Sequence, residues 1–141
     1  MHKFTILFLT LALGASSLAA TKKVIQPKGS ATGRPFSPGI LIDGTLYVSG
    51  TTGSDSSGKI PAEFEAEVKQ ALDNIGVVLK EAGMTFDNAV AVQVYLTDME
   101  LFPRMNAVYT TYFKEPRPAR TTVGVARLVG AAHIEITVTA R

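Results

Sequence analysis

The sequence predicts one α+β domain, a two-layer sandwich with a mostly antiparallel sheet and two helices on one face of that sheet. Two segments carry apolar residues at helical spacing, and six shorter segments alternate or are apolar and end at Gly, Pro or Asp. Their order is β-β-β-α-β-α-β-β. The chain has 141 residues, 46% hydrophobic and 18% charged, which is enough for a real core.

The first 20 residues are predicted to lie outside this domain. Lys3 precedes an apolar run, Phe4 to Leu13, and small residues follow up to Ala20. A positive start, a short apolar centre and a small-residue end are typical of a cleavable secretory signal peptide. The apolar run is too short to span a bilayer, which needs about 20 residues. We therefore expect a signal peptide at 1–20 and a single periplasmic or secreted domain at 21–141, with no membrane attachment after cleavage.

Charge and composition exclude several function classes. The formal net charge is only +2 and no block of like charges occurs, so a nucleic-acid partner is not indicated. The chain has no cysteine, which excludes disulfides, thiol nucleophiles and thiolate metal sites. Beyond the signal segment His133 is the only histidine, so no histidine-cluster metal site can form.

The N-terminal part of the domain reads as a strand, a loop and a hairpin. Lys22 to Pro27 is predicted as the first strand, and the Gly-, Pro- and Ser-rich Lys28 to Gly39 as a loop. Phe36 in that loop is either an anchor in the core or the wall of a pocket. Ile40 to Ser49 is predicted as a hairpin that turns at Asp43-Gly44. Gly50 to Lys59 is predicted as a polar loop.

The first helix is predicted from Pro61 to Ala82. Its apolar stripe consists of Phe64, Val68, Ala71, Leu72, Ile75, Leu79 and Ala82. Pro61 suits a first helical turn, and Gly83 suits the position just past the end. Three acidic residues, Glu63, Glu65 and Glu67, lie in the early turns, where negative charge is favourable at the positive end of a helix. They are expected to form a solvated face.

A strand and a second helix are predicted next, over Asn88 to Asp98 and Pro103 to Phe113. The helix is expected to bury Met105, Val108, Tyr109 and Tyr112. Pro103 must lie in the first turn, because a proline deeper in a helix costs about 3 kcal/mol or more. Asn106 is disfavoured by helix propensity, so its side chain either points to solvent or has a use.

The last segment, Pro118 to Arg141, contains two alternating strands. Arg120 lies on the non-aliphatic side of the first strand, and Glu135 on the non-aliphatic side of the second. Because the connection Arg127 to Ala132 is short, we expect the strands to lie near each other and to present both charges on the face away from the helices. Such a pair is a surface ion pair, a structural pair or a binding site. That face is either wet or packs against other subunits.

Six short segments together resemble the Rid (YjgF) family of reactive intermediate deaminases, over Lys28 to Arg141. They are Tyr47–Gly50, Ala71–Ile75, Asn106–Tyr109, Pro118–Thr121, Val125–Leu128 and Ile134–Ile136. The resemblance implies a chorismate-mutase-like fold and a homotrimer with a central barrel and three clefts between subunits. It also implies hydrolysis of 2-imino acids, such as 2-iminopropanoate and 2-iminobutanoate, to 2-keto acids and ammonia, without a cofactor or a metal.

The resemblance assigns a role to each matching residue. Arg120 matches the carboxylate-binding arginine, and its planar fork of donors suits a carboxylate better than lysine would. Glu135 matches the residue that positions water and moves protons. Asn106 and Ser49 match residues that line the cleft.

Two further substrate-binding positions depart from the family pattern. Thr122 stands where many deaminases carry a cysteine, and Phe36 stands where a tyrosine is common. Three alternatives to deamination remain: a non-catalytic protein that binds small carboxylates, a chaperone-like exported protein, and a ribonuclease. The near-neutral charge and the lack of a histidine cluster give the ribonuclease little support.

Overall fold

The structure, a computed structural model, describes residues 20–141. The strands are β1 Lys23–Ile25, β2 Gly39–Ile42, β3 Thr45–Thr52, β4 Ala89–Leu96, β5 Ala119–Gly124 and β6 Ile134–Ala140, and the helices are α1 Phe64–Glu81 and α2 Phe102–Tyr112. The predicted order of elements and the α+β class are confirmed. The predicted signal peptide lies outside the described residues, apart from Ala20.

All six strands form one sheet in the order β1-β2-β3-β6-β4-β5. Neighbouring strands are antiparallel, except that β4 and β5 are parallel. The last two strands are therefore not adjacent, because β4 lies between them and pairs with both. A parallel pair requires a crossover, and α2 provides it between β4 and β5.

The hairpin turn at Asp43-Gly44 is confirmed. Ile42 pairs with Thr45, and both turn residues have positive φ, 49° for Asp43 and 75° for Gly44. This is the twist that a two-residue hairpin requires. The predicted loop at Gly50 was wrong in its first residues, because β3 continues to Thr52. An irregularity in its pairing with β6 between Val48 and Thr51 breaks the alternation that would have indicated a strand.

Both helices pack on one face of the sheet through their apolar stripes. The shared core includes Val68, Leu72 and Ile75 of α1, Met105 and Tyr109 of α2, and Val92, Val94, Ile134 and Ile136 of the sheet. Helix α1 begins at Phe64, later than predicted, with Pro61 just outside it. In α2, Pro103 lies in the first turn, as predicted. No helix within residues 20–141 has the length and hydropathy needed to cross a membrane.

One of the three acidic residues of α1 is not solvated. Glu67 is completely buried, with 0% exposure, whereas Glu63 is exposed and Glu65 is half-buried. The carboxylate of Glu67 accepts main-chain hydrogen bonds from the start of β6, which satisfies the charge inside the fold. The predicted solvated face is therefore wrong at this position.

Candidate functional site

The structure places Arg120 and Glu135 on opposite faces of the sheet. Arg120 of β5 pairs with Val92, whose side chain is in the core under the helices. Glu135 of β6 pairs with Tyr95, which lies three residues after Val92 in β4. The neighbours of Glu135 in β6, Ile134 and Ile136, are buried in the core. Paired residues share a face of a sheet and successive residues alternate. The prediction that both charges lie on the face away from the helices is therefore wrong for Arg120.

The reason is that β5 is an edge strand with both faces only partly covered. Its aliphatic Val123 is 40% exposed on the outer face, while Arg120 and Thr122 are half-buried on the helix side. Hydrophobicity does not separate the two faces of such a strand. The aromatic rings of α2 give Arg120 its place on the helix side.

The guanidinium of Arg120 lies over two aromatic rings of α2. Its central carbon is 4.5 Å from the ring centre of Tyr109 and 5.5 Å from that of Phe102. These cation–π contacts orient the group without neutralising it. Among residues 20–141, no carboxylate lies within salt-bridge distance of Arg120, so its charge is open to an anionic ligand.

A cavity of about 320 Å³ lies beside this guanidinium. Its lining residues are Asn106, Tyr109, Thr110, Arg117, Pro118 and Arg120. Asn106 is half-buried and lines the cavity, so its amide is placed where it could contact a ligand. The cavity is small, positively charged and rich in hydrogen-bonding groups, as a site for a small carboxylate should be.

Two buried hydroxyl groups find no hydrogen-bond partner among residues 20–141. They belong to Tyr109 and to Thr122. Burial raises the pKa of the Tyr109 phenol above 10, and the nearby charges of Arg120 and Arg117 oppose part of that rise. Tyr109 therefore remains a neutral donor at ordinary pH. Unpaired buried hydroxyls are rare, which makes the hydroxyl of Tyr109 a candidate for a ligand contact, whereas Thr122 is not among the residues that line the cavity.

The sequence predicts neither Tyr109 nor Arg117 as a site residue. Tyr109 has helical spacing to Met105, which indicates only a position in the core. It is three residues after Asn106, and residues at that spacing lie on neighbouring parts of one helix surface. That spacing is the signal that could have indicated its place in the cavity. No comparable signal exists for Arg117, which lies in the loop before β5.

Glu135 lies in a second, separate cavity of about 350 Å³ on the outer side. Its lining residues are Arg127, Leu128, Val129 and Glu135. The carboxylate approaches Gly50 of β3 so closely that a Cβ at position 50 would collide with it. A side chain at position 50 would therefore displace the Glu135 carboxylate from its place against the β3 backbone.

Ser49 and Phe36 lie on the side of the molecule that carries β3. The hydroxyl of Ser49 donates to the carbonyl of Ser37 at 2.6 Å, and its main-chain N–H donates to Pro38 at 3.0 Å. Ser49 thus holds the Phe36 loop, and its oxygen is left as an acceptor only. Phe36 is 51% exposed, with Arg34 5.7 Å from its ring centre, so it is not an anchor in the core.

The predicted residues thus form two separate groups within one chain. Arg120, Thr122 and Asn106 lie at the β5–α2 edge, whereas Glu135 lies on the outer face beside Gly50. Arg120 and Glu135 form no ion pair with each other. No group of three or more His, Asp and Glu side chains in the described part of the chain could hold a metal ion.

Comparison with known proteins gives a consistent result. The family described as endoribonuclease L-PSP matches residues 28–141. A mouse protein named 2-iminobutanoate/2-iminopropanoate deaminase is 42% identical over 118 residues, which are 82% of this chain and 87% of the mouse protein.

Two solved structures share the fold. A Rid-family protein of unknown function, YyfA from Yersinia pestis, has a TM-score of 0.80 and 37% identity, and the match covers 85% of this chain and 98% of that one. The YjgF gene product of E. coli has a TM-score of 0.77 and 31% identity, over 84% of this chain and 97% of that one.

Proposed function

The chain belongs to the Rid/YjgF (endoribonuclease L-PSP) family, and from this premise we propose that it hydrolyses 2-imino acids to 2-keto acids and ammonia. The observation that carries the proposal is the oriented, unpaired guanidinium of Arg120 in a small cavity whose lining includes the unpaired hydroxyl of Tyr109. Such a cavity fits the planar carboxylate of a small substrate such as 2-iminopropanoate or 2-iminobutanoate.

We propose further that one active site needs two subunits. Arg120 and Glu135 lie in different cavities on opposite faces of the sheet, so one chain does not bring them together. The outer face also exposes apolar side chains, namely Val24 at 50%, Tyr47 at 52% and Val123 at 40%. A homotrimer that buries this face, with Glu135 of one subunit facing Arg120 of the next, accounts for both features.

The chemistry then divides between the two groups of residues. Arg120 binds the substrate carboxylate, and the hydroxyl of Tyr109 and the amide of Asn106 orient the substrate. The carboxylate of Glu135 accepts a proton from water as the water oxygen attacks C2 of the imine. The proton then passes to the nitrogen, which gives a carbinolamine with a hydroxyl and an amino group on C2. Glu135 next transfers the hydroxyl proton to the amino nitrogen, the C=O double bond forms as the C–N bond breaks, and ammonia and the 2-keto acid leave.

The test is a coupled assay. An amino-acid oxidase generates 2-iminopropanoate or 2-iminobutanoate, semicarbazide traps the imine, and the purified protein is expected to suppress semicarbazone formation. Arg120→Ala removes the charge that holds the substrate, so kcat/KM should fall by about two orders of magnitude, or about 2.7 kcal/mol. Arg104→Ala is the matched control, because that arginine of α2 lines neither cavity.

Two results would contradict the deaminase proposal. One is unchanged turnover by Arg120→Ala in the wild-type assembly state. The other is a well-folded protein that leaves semicarbazone formation unaffected. Titration with pyruvate or alanine would then test the alternative, that the Arg120 cavity binds small carboxylates without turnover.

We also propose that the protein acts in the periplasm or outside the cell. The support is the pattern of Lys3, the apolar run and the small residues that follow it. N-terminal sequencing of protein recovered from the periplasm or the medium should begin after Ala19 or Ala20. Recovery of the uncleaved chain in the cytoplasm alone would overturn this proposal.

A further inference from the structure

Glu67 is the only buried charged side chain among residues 20–141, and it has an unusual set of partners. Its Oε1 accepts the main-chain N–H of His133 at 2.7 Å and that of Ile134 at 3.3 Å. Its Oε2 lies 2.8 Å from Nδ1 of the His133 ring. One carboxylate on α1 therefore makes three contacts with His133 and Ile134, where β6 begins.

The opposite side of Glu67 lies against the end of β3. A Cβ on Gly53 would be 2.6 Å from Cγ of Glu67, so the absence of a side chain lets the β3 end approach the helix. The main chain of His133 is also fixed by Thr97, whose N–H donates to its carbonyl at 3.1 Å. Glu67 is thus packed between the β3 end and the β6 start.

Glu135 lies between these two fixed points. It is the residue after Ile134 in β6, and its pairing partner in β3 is Thr52, the residue before Gly53. The loop that lines its cavity, with Arg127 and Val129, ends at His133. The position of the Glu135 carboxylate therefore depends on the backbone that Glu67 holds.

We propose that Glu67 is a positioning residue for the reaction, which sets the location of Glu135 through the hydrogen bonds of its carboxylate to His133 and Ile134. This inference rests on the proposed deaminase function. The cavity of Arg120 is lined by residues of α2 and of the segment around β5, and Glu67 is not among them. Glu67 should therefore affect turnover and leave substrate binding almost unchanged, which a purely stabilising residue would not do.

The experiment compares three variants with the wild type. Glu67→Asp keeps the charge but shortens the side chain by one CH2 group, so the carboxylate no longer reaches both N–H groups. Glu67→Gln keeps the length and one acceptor oxygen and serves as the conservative rescue. Ile75→Val removes a methylene group from a completely buried residue of the same helix, and serves as the control for lost stability.

Steady-state kinetics with 2-iminopropanoate give the first readout. Since a misplacement of about 1 Å can cost on the order of 100-fold, we expect Glu67→Asp to lower kcat about tenfold, with KM within about twofold of wild type. Glu67→Gln should stay within about threefold in kcat, because one oxygen still accepts a main-chain N–H. Ile75→Val should leave kcat unchanged.

Amide hydrogen exchange gives a second readout that does not depend on activity. Glu67→Asp should speed exchange at His133, Ile134 and Glu135, and Ile75→Val should not do so selectively. A Glu67→Asp variant with wild-type kcat, or with kcat and KM changed as in Ile75→Val, would overturn the proposal.

A wild-type protein without turnover would refute the deaminase function. Amide hydrogen exchange would then still test whether Glu67 holds the start of β6. Unchanged exchange in Glu67→Asp would then overturn the positioning role, and faster exchange limited to the β6 start would support it.

Discussion

The unpaired hydroxyl of Tyr109 allows a role in substrate binding to be tested apart from a role in stability. Removing a buried hydroxyl that forms no hydrogen bond with residues 20–141 should cost the fold little. Tyr109→Phe keeps the ring under Arg120, so we expect an unchanged or slightly higher Tm. A lost substrate hydrogen bond of about 1 kcal/mol should lower kcat/KM about fivefold. A lower Tm with unchanged kinetics would instead mean that the hydroxyl has a structural partner.

The same residue predicts how stability depends on alkaline pH. Burial raises the pKa of Tyr109 above its ordinary value of 10.0, so the folded protein favours the neutral phenol. The resulting stabilisation is fully present below pH 10 and is lost as the pH rises through the folded-state pKa. In chemical unfolding series, wild type should lose more stability above pH 10 than Tyr109→Phe. Parallel profiles for the two proteins would contradict this assignment.

At the residue scale, the sequence was informative about chemistry and less so about location. Arg120 and Glu135 could be selected because a charge inside an alternating strand is unusual. The face of Glu135 was predictable, because the aliphatic residues that alternate with it in β6 are buried. The face of Arg120 was not, since an edge strand such as β5 has no buried aliphatic side. Cation–π contacts with Tyr109 and Phe102 place Arg120, and such contacts join segments that are distant in sequence.

At the scale of elements, an ion pair links the two helices. Both Nε and Nη2 of Arg104 on α2 donate to the carboxylate of Glu65 on α1, each at 2.6 Å. The pair lowers the pKa of Glu65 from 4.5 to about 2, chiefly through the hydrogen bonds from Arg104. Its contribution to stability is therefore present above pH 4.5 and is lost as the pH falls through about 2.

A titration followed by carbon NMR checks this pair directly. In Arg104→Ala the pKa of Glu65 should return toward 4.5. Both side chains are about half exposed, so added salt should also raise the pKa in wild type. An ordinary pKa for Glu65 in wild type at low salt would show that the two groups do not pair in solution.

The elements were predictable where one period continues over many residues. Both helices satisfy this condition, and so do β4 and the Asp43-Gly44 hairpin. The extension of β3 to Thr52 was missed because the irregularity after Val48 interrupts its alternation. The position of β4 between β5 and β6 depends on contacts between segments that are distant in sequence, so local patterns do not predict it. The strand–helix–strand order of β4, α2 and β5 does, however, favour a parallel pair.

At the scale of the whole molecule, the proposed two-subunit site of a homotrimer leads to a quantitative prediction. Arg120→Ala and Glu135→Gln variants should each be inactive, yet trimers assembled from a 1:1 mixture should recover activity. Random assembly gives mixed trimers in about three quarters of cases, each with one intact site of three, so about one quarter of wild-type activity should return.

The control for this experiment is a mixture of Arg120→Ala with the double variant, in which no intact site can form. Sedimentation before and after mixing should show trimers throughout. A mixture that stays inactive after confirmed subunit exchange would mean that Arg120 and Glu135 do not meet across a subunit boundary.

The separation of the two cavities on opposite sheet faces also has a consequence for protein concentration. If each active site is completed by a neighbouring subunit, the number of complete sites depends on how many chains are assembled, and therefore on the concentration of the protein. It does not depend only on how many chains are folded. Dilution below the dissociation constant of the assembly would then abolish catalytic activity although every chain remained folded. For a protein released into a large volume, the strength of contacts around Tyr47 and Val123 would set the lowest concentration at which the chemistry operates.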